Sequence, residues 1–419
     1  METVDTNTHV GIRPRYCGPP GLSLHGIAGT EHGGVDDGSA RALETPGRRV
    51  VFTHRGRFGL GLLCRYWGLS TGDEALMPAY NCGSEVDPFV HYGLRVLFYR
   101  VDVGGRMDID DITRRLTART RIIYVTHYFG WPHDVTRLLA LCAERNIRLV
   151  EDCALSLFSR PQVHPIGVLG DAAIYSFRKT LPVPDGGALT VVEGTRGRRG
   201  APRRTEPAAP WEPKLRPPSP CVVARELLSL IKRGMLRMSD AAGLFSVVYR
   251  NIGVPAGVVR RRSEPTSVPG GESRDTEPMP ASYYYDVRLE LRGPSRFTRM
   301  VLRYVDPAWT VERRRRNYRR LLRHVRRRSL GVPLTGDLLD GVCPLVLPVV
   351  VDDAVALSRR LGARAIVAPA WWCGFHQGFS WLRYPEAQYL KTHVLALPVH
   401  QQLEEDHMDY IASVLEGCV

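Results

Sequence analysis

Residues 172–187 read Ala-Ala-Ile-Tyr-Ser-Phe-Arg-Lys-Thr-Leu-Pro-Val-Pro-Asp-Gly-Gly, an apolar run followed by a lysine and then by a glycine pair. The first five residues have the pattern of a buried strand, and Ala188-Leu-Thr-Val-Val192 resumes that pattern. The interval between the two runs leaves no room for a crossover helix. We therefore predict two neighbouring strands joined by a tight loop, and this loop carries Lys179.

Upstream of this stretch, short apolar runs alternate with helical patterns from residue 48 onward. Strands are predicted at 49–53, 74–78, 96–99, 121–126 and 148–152, and helices at 58–67, 84–92 and 135–145. Such alternation is typical of a mostly parallel sheet covered by helices. The sequence therefore predicts an α/β fold.

The length of 419 residues exceeds what one hydrophobic core usually serves, so we expect two domains. A polar N-terminal segment (1–47) precedes a large domain (48–295), which contains an insertion rich in Arg and Pro (194–281). Residues 296–419 form the predicted small C-terminal domain, of the α+β class. Its predicted elements are a long helix at 311–327, strands at 345–351 and 394–398, and helices at 354–361 and 404–415.

Composition narrows the function classes. The nine cysteines are scattered with no C-x-x-C pair, which argues against a zinc site or a disulfide framework. No run approaches the roughly 18 apolar residues of a membrane span, and the N-terminus lacks a signal pattern, so we expect a cytoplasmic protein with no membrane partner. The net charge of +14 comes from Arg clusters with few interleaved aromatic residues. This arrangement disfavours nucleic-acid binding and favours attraction of a small anionic substrate.

Lysine is scarce in this basic chain. Only four of the 57 Lys and Arg residues are lysines, at positions 179, 214, 232 and 391. An amine can lose its proton and attack a carbonyl, whereas a guanidinium stays protonated. Lys179 is therefore a candidate for a Schiff-base lysine.

Polar residues cluster where the predicted parallel strands end, the place where such sheets bind ligands. They include Asp152 after one strand, and Ser176 with Lys179 after another. Pyridoxal phosphate needs this combination: a lysine that bonds its aldehyde, a carboxylate that keeps its pyridine nitrogen protonated, and a helix N-terminus for its phosphate.

Five stretches in register resemble the DegT/DnrJ/EryC1/StrS family of sugar aminotransferases, which have the fold-type I architecture of pyridoxal-phosphate-dependent transferases. The matching stretches are Arg55–Leu60, Gly72–Tyr80, Val125–Gly130 with Asp134, Glu151–Ala154, and Gly170–Phe177, and they are followed by Lys179 ahead of Asp185-Gly186-Gly187. The resemblance runs in order over roughly residues 48–192 and continues weakly into the C-terminal unit.

The resemblance implies the role of each site residue. Lys179 would hold the cofactor and Asp152 would pair with the pyridine nitrogen. Ser176 and the Gly56-Arg57 turn would contact the phosphate, and Cys82 and His127 would lie beside the ring. It also implies a homodimer with active sites at the subunit interface. The implied reaction moves an amino group from a donor to a keto substrate, with a nucleotide-linked keto sugar as the expected acceptor in polysaccharide or secondary-metabolite synthesis.

Three departures from the family pattern keep other functions open. The Arg- and Pro-rich stretch replaces the segment after the glycine pair, so the resemblance assigns no phosphate contact from a neighbouring subunit. Lys179 follows Ser176 by three residues rather than five, and Leu155 stands where the family often has Gln or His near the ring's phenolic oxygen. A lyase, dehydratase or decarboxylase using the same cofactor is therefore an alternative. A degenerate, non-catalytic relative is another.

Three further features concern aromatic and arginine residues. Trp371-Trp372 with His376 could line a substrate mouth, although aromatic core packing is the preferred interpretation. The run Arg313–Arg316 is interpreted as the solvated face of a helix. Arg196–Arg204 is expected to be an exposed segment near the site mouth that attracts a phosphate-bearing substrate, with a salt-dependent effect.

Overall fold

The computed structural model describes residues 13–21, 43–162, 166–193, 213–244, 278–372 and 374–419. Two sheets lie within these ranges, a seven-stranded sheet in the first half of the chain and a three-stranded sheet nearer the C-terminus. The Arg-rich segment 196–204 lies outside the described residues, as does much of the predicted insertion.

The large sheet is mostly parallel. Its strands are β1 (Arg48–Thr53), β2 (Glu74–Pro78), β3 (Arg95–Tyr99), β4 (Thr120–Thr126), β5 (Arg148–Asp152), β6 (Ala172–Ser176) and β7 (Gly187–Val192). They are ordered β1-β7-β6-β5-β4-β2-β3. Strands β6, β5, β4, β2 and β3 run parallel, whereas β7 is antiparallel to both of its neighbours. The predicted α/β class is confirmed, and each predicted strand forms within one residue of its expected bounds.

Helices cover this sheet and complete the C-terminal half. They are α1 (Gly56–Tyr66), α2 (Asp87–His91), α3 (Ile109–Arg115), α4 (Thr136–Arg145), α5 (Phe177–Thr180), α6 (Pro220–Ala241), α7 (Arg296–Tyr304), α8 (Pro307–Arg327), α9 (Ala354–Gly362), α10 (Pro385–His393) and α11 (Glu405–Glu416). The central strands β2, β4 and β5 are almost entirely buried, as expected of parallel strands packed on both faces. This burial explains why they read as continuous apolar runs.

The connection between β6 and β7 differs from the prediction. A loop without a helix was expected, but the chain forms the single helical turn α5 and then passes through Gly186, whose φ is +107°. A single helical turn of four residues fits into this short connection, whereas a full crossover helix does not. Helices α3, α7 and α10 were not predicted. The side chain of Asp108 caps α3 and that of Ser295 caps α7.

The C-terminal half has its own sheet and core. Strands β8 (Val332–Pro333), β9 (Val346–Val350) and β10 (Val394–Pro398) pair antiparallel in the order β10-β9-β8. Apolar residues of α8, α9 and α11 pack on this sheet. The boundary at residue 295 stays a prediction, since α7 packs its Val301 and Leu302 with residues of the large sheet.

The interpretation of the run Arg313–Arg316 as a solvated face was wrong for Arg314. This side chain is 1% exposed, and its guanidinium donates to the carbonyls of Thr180, Pro344 and Leu345 at 3.0–3.1 Å. Burial lowers its pKa, yet three carbonyl acceptors compensate the buried charge. Arg314 therefore ties the end of α5, one residue from Lys179, to the C-terminal half.

Among the described residues, no helix is long and apolar enough to cross a bilayer.

Candidate active site

Asp152 is the last residue of β5 and lies at the carboxyl edge of the sheet. It is 4% exposed, and its Oδ1 accepts a hydrogen bond from the amide of Ala154 at 2.8 Å. Thr126 ends β4 directly beside it in the strand register. The buried hydroxyl of Thr126 has no hydrogen-bond partner within the described part of the chain. A buried polar atom of this kind is expected where a ligand binds.

The electrostatic surroundings of Asp152 raise its pKa to about 6. Burial is the main cause, and the nearby carboxylate of Glu85 adds to it. The ammonium of Lys179 and the hydroxyl of Tyr124 act in the opposite direction. Asp152 is still mostly ionised at neutral pH, but burial and Glu85 make its charge less favourable, so a positively charged group bound beside it would be stabilising.

Lys179 sits in α5, half-buried, after the end of β6. Its Nζ lies 5.7 Å from the centroid of the Trp372 ring. The carbonyl of Thr180 accepts from Arg314 at 3.1 Å and from Gln401 at 3.0 Å, which fixes the turn that carries the amine. The structure therefore brings Lys179 and Asp152 to one edge of the sheet, as predicted, and supports the lysine from the C-terminal half.

Gly56 and Gly187 let α1 approach the end of β6. A Cβ on Gly187 would lie 2.4 Å from the nitrogen of Gly56, and a Cβ on Gly56 would lie 2.9 Å from the carbonyl oxygen of Tyr175. Both positions therefore require glycine. The N-terminus of α1 is thereby held against Ser176, whose Cβ is within 3.9 Å of the same Gly56 position. The predicted Gly56 and Ser176 are therefore adjacent.

Three arginines surround this helix N-terminus. Arg55 immediately precedes α1, Arg57 lies in its first turn, and Arg178 lies in α5. Guanidinium nitrogens of Arg55 and Arg178 are 3.9 Å and 3.7 Å from the carboxylate of Glu226 in α6. Burial, followed by repulsion from Arg178 and Arg57, lowers the pKa of Arg55 to about 10. This excess of positive charge at a helix N-terminus favours a bound anion.

The side chain of Arg57 has a structural partner as well. Its guanidinium donates to the carbonyl of Ser282 at 3.0 Å and to that of Tyr283. Arg57 therefore also holds residues 282–283 beside the start of α1. The sequence prediction for Arg57 concerned the phosphate alone and missed this second contact, and it missed Arg55 and Arg178 altogether.

The side chain of His127 lies on the opposite face of the sheet from that of Asp152, next to Glu151. Its Nδ1 accepts from the amide of His133 at 3.0 Å, so Nε2 carries the proton and donates to Glu151 at 2.9 Å. The ring is fully buried, and both nitrogens are bonded within the protein. The contact of His127 with a cofactor ring stays a prediction. Both ring nitrogens already form hydrogen bonds with protein groups.

Cys82 is buried and its thiol is a hydrogen-bond donor. Its Sγ lies 2.6 Å from Glu85 Oε2, and its amide donates to Glu85 Oε1 at 3.0 Å. Burial, reinforced by the Glu85 carboxylate and opposed by Lys179, raises the pKa of the thiol to about 12. Cys82 is therefore neutral at physiological pH. Sequence reasoning missed Glu85, because a glutamate just before a short helix resembles an ordinary surface residue.

The aromatic residues near Lys179 form one wall of the site. Trp372 is half-buried and has a φ of +62°, and its ring packs 5.2 Å from Tyr80 and 5.8 Å from Tyr128. His376 was predicted to lie with Trp372, but its Nε2 instead forms a hydrogen bond with Oδ1 of Asp87 at 3.0 Å. Leu155, the departure from the family pattern, is 1% exposed and packs in the large core.

Residues 48–197 match the sequence model of the DegT/DnrJ/EryC1/StrS aminotransferase family, which confirms the resemblance predicted from the sequence. A 4-aminotransferase acting on dTDP-4-dehydro-2,3,6-trideoxy-D-glucose, from Saccharopolyspora spinosa, is 30% identical over 151 residues. That match covers 35% of this chain and 39% of the relative. The chain therefore spans well under half the length of this curated relative.

Solved structures match over nearly the whole chain. The aminotransferase TlmJ from Streptoalloteichus hindustanus superposes with a TM-score of 0.61 at 19% identity, covering 96% of this chain and 98% of TlmJ. Spr1654 from Streptococcus pneumoniae, solved in a PLP form, gives a TM-score of 0.61 at 16% identity and covers 97% and 98% of the two chains. At these identities the likeness establishes the fold.

Proposed function

We propose that this chain, whose residues 48–197 carry the DegT/DnrJ/EryC1/StrS family sequence, is a pyridoxal-phosphate-dependent aminotransferase. The observation that carries the proposal is the meeting of Lys179, Asp152 and the N-terminus of α1 at one edge of the sheet. An amine, a buried carboxyl and an anion-binding helix end are the three groups that the cofactor requires.

The residues present fit the cofactor. Asp152 would hold the pyridine nitrogen, whose positive charge would supply the partner that this buried carboxyl lacks. The amides at the start of α1, together with Ser176, Arg55 and Arg178, would hold the phosphate. Lys179 would bond the aldehyde carbon. When bound, the cofactor supplies an electron-withdrawing ring that makes the α-proton of an amino donor acidic.

The protein's own groups then have separate tasks. Lys179, when its amine is not bonded to the cofactor, would be the base that takes the donor's α-proton and delivers it to the carbon of the former aldehyde. Asp152 would keep the pyridine nitrogen protonated. Cys82 stays neutral, because its thiol proton is held by Glu85, so it contributes a small uncharged surface rather than a nucleophile. The aromatic wall covers one side of the Lys179 amine.

For the acceptor we propose a nucleotide-linked keto sugar, as part of polysaccharide or secondary-metabolite synthesis. The Saccharopolyspora relative is named for a substrate of this class. The net charge of +14 would favour capture of such an anionic molecule. We propose no nucleic-acid partner.

A lyase on the same fold is the second candidate, favoured by one observation. Leu155 places a buried apolar side chain where family members often have a hydrogen-bonding group near the ring oxygen. Without a hydrogen bond from position 155 to the ring oxygen of the cofactor, a different bond of the substrate could be the one that is weakened.

One spectroscopic experiment separates the candidates. Purified protein supplied with pyridoxal phosphate should show a visible absorption band that fades when an amino donor such as L-glutamate is added. The band should return when a keto acceptor is added, since transamination regenerates the starting form. A band that fades without returning, with release of a cleaved product, would identify a lyase. Absence of any band would identify a degenerate, non-catalytic relative.

A homodimer in the cytoplasm completes the proposal. The exposed face of α6 carries an apolar stripe, formed by Leu228, Ile231, Met235 and Met238, that a second copy could cover. The eight described cysteines form no disulfide, as expected in a reducing compartment. Light scattering would test the dimer by measuring the mass of the protein in solution. Met235→Glu is expected to shift the protein toward monomer, whereas Lys214→Glu, a charge change outside the stripe, should leave the dimer intact.

A further inference from the structure

Trp372 combines two features that are unusual together. It is a bulky residue in the left-handed backbone region, with a φ of +62°, and it is half-buried beside the reactive lysine. An aromatic residue gains nothing locally from this backbone conformation, which disfavours every residue with a Cβ. Such strain is typically retained where the surrounding structure enforces it for a function.

The surrounding structure does enforce the position of Trp372. The hydroxyl of Tyr80 donates to the carbonyl of Trp371 at 3.3 Å, and the amide of Trp371 donates to Val394 at 2.8 Å. The rings of Tyr80 and Tyr128 pack against the indole at 5.2 Å and 5.8 Å. The indole is therefore a rigid surface carried by the C-terminal half and supported by the large sheet.

The indole also faces the place where a substrate must react. The amine of Lys179 lies above the ring, 5.7 Å from its centroid. A substrate carbon roughly 3–3.5 Å from that amine, on its Trp372 side, would lie against the same ring. We propose that Trp372 is a specificity-determining residue, against which the sugar ring of a nucleotide-linked substrate stacks.

This inference deepens the proposed function and rests on it for the substrate class. A flat apolar face suits the C–H side of a pyranose ring, and a rigid face selects it because little side-chain entropy is lost on binding. The nucleotide part would lie away from the indole. Trp372 would therefore contribute to binding of the sugar and not to binding of the nucleotide.

Calorimetry with unreactive probes tests the inference without turnover. Cofactor-loaded protein is titrated with dTDP-, UDP- and GDP-glucose and with each free nucleoside diphosphate. At least one sugar conjugate should bind the wild type more tightly than its free nucleotide. Trp372→Ala should reduce that sugar-dependent gain by roughly tenfold or more, whereas Trp372→Phe should keep most of it. Affinity for the free nucleotide should stay within about twofold.

Two further variants keep the result interpretable. Trp372→Gly removes the ring and relieves the left-handed strain, so it serves if the alanine variant folds poorly. Trp309→Ala is the matched control, because Trp309 is also half-buried with a cation, Arg313, 5.8 Å over its ring. A sugar-dependent gain that survives in Trp372→Ala, or that is absent from the wild type for all three sugars, would overturn the inference. Failure of the proposed function would instead appear as a missing or irreversibly lost visible band.

Discussion

Glu151 and Asp152 are consecutive residues of one strand, and their side chains face opposite sides of the sheet. Both are buried, at 0% and 4% exposure. The carboxylate of Glu151 accepts from the amides of Gly167, Leu169 and Gly170 at 2.6–2.9 Å, and from His127. Asp152 accepts from one amide, that of Ala154, and the nearby hydroxyl of Tyr124 acts to lower its pKa.

This difference separates a structural carboxylate from one suited to bind a ligand. Burial alone raises the pKa of Glu151, but the bonds from His127, Gly170 and Gly167 outweigh it and the net shift is downward. For Asp152, burial and the repulsion from Glu85 prevail, so its pKa rises. The protein therefore compensates the charge of Glu151 more fully than that of Asp152, and a positively charged ligand beside Asp152 would reduce the difference.

The largest effect on activity should come from removing the amine of Lys179, which lies on the same face of the sheet as Asp152. Lys179→Ala should lower transamination by roughly 10²–10⁴-fold or more, because it removes both the covalent anchor and the base. Borohydride reduction of the wild type followed by peptide mapping should place the cofactor adduct on Lys179. The exposed Lys232 gives the control, since Lys232→Ala should change nothing. An adduct on Lys214 or Lys232 would overturn the assignment.

On the opposite side, Glu151→Gln should mainly cost stability. The amide would place its NH₂ group against donors that now have an acceptor, which should lower the free energy of unfolding by roughly 3 kcal/mol. Urea denaturation measures this loss, and cofactor affinity of the folded fraction should stay unchanged. If the variant lost cofactor while keeping full stability, Glu151 would belong to the site.

The two carboxyls should respond to pH with opposite signs. Glu151 has a lowered pKa, so its contribution is present above its ordinary value of 4.5 and is lost as the pH falls below it. Asp152 has a pKa raised from 3.8 to about 6, so the fold is most favoured at low pH and loses stability as the pH rises through 6. The loss is at most about 3 kcal/mol, at 1.36 kcal/mol per pH unit.

Asp152→Asn isolates this contribution in cofactor-free protein. The variant should match the wild type near pH 4 and exceed its stability at pH 7, since asparagine imitates the protonated carboxyl. Denaturation curves at pH 4, 5, 6 and 7 provide the measurement. Equal stability of the two proteins across this range would show that ionisation of Asp152 does not destabilise the fold.

The smallest expected change is the effect of the same substitution on cofactor binding. Asp152→Asn should weaken affinity for pyridoxal phosphate by about 2 kcal/mol, the usual contribution of a hydrogen bond between charged groups. The variant would thus be more stable without cofactor and bind it less well. Fluorescence titration with pyridoxal phosphate measures the affinity, and Glu151→Gln is the matched control on the opposite side.

Local sequence patterns were sufficient for the large sheet and for the two principal site residues. The strands are buried on both faces, so apolar composition alone marks their position and length. Lys179 was identifiable because lysine is scarce, and Asp152 because it ends a buried strand. These signals are contained within a few residues and need no knowledge of distant parts of the chain.

The sequence by itself therefore determined the α/β class, the family resemblance and the edge of the sheet where ligands bind. Tertiary structure alone decided that Arg314 is buried, that Trp372 faces Lys179 and that His127 is bonded to Glu151. Arg314 reaches Thr180 across 134 positions, and Trp372 comes from the segment between α9 and α10 in the C-terminal half. Such partners are set by how the two halves of the chain pack, and a residue's neighbours in sequence carry no record of that packing.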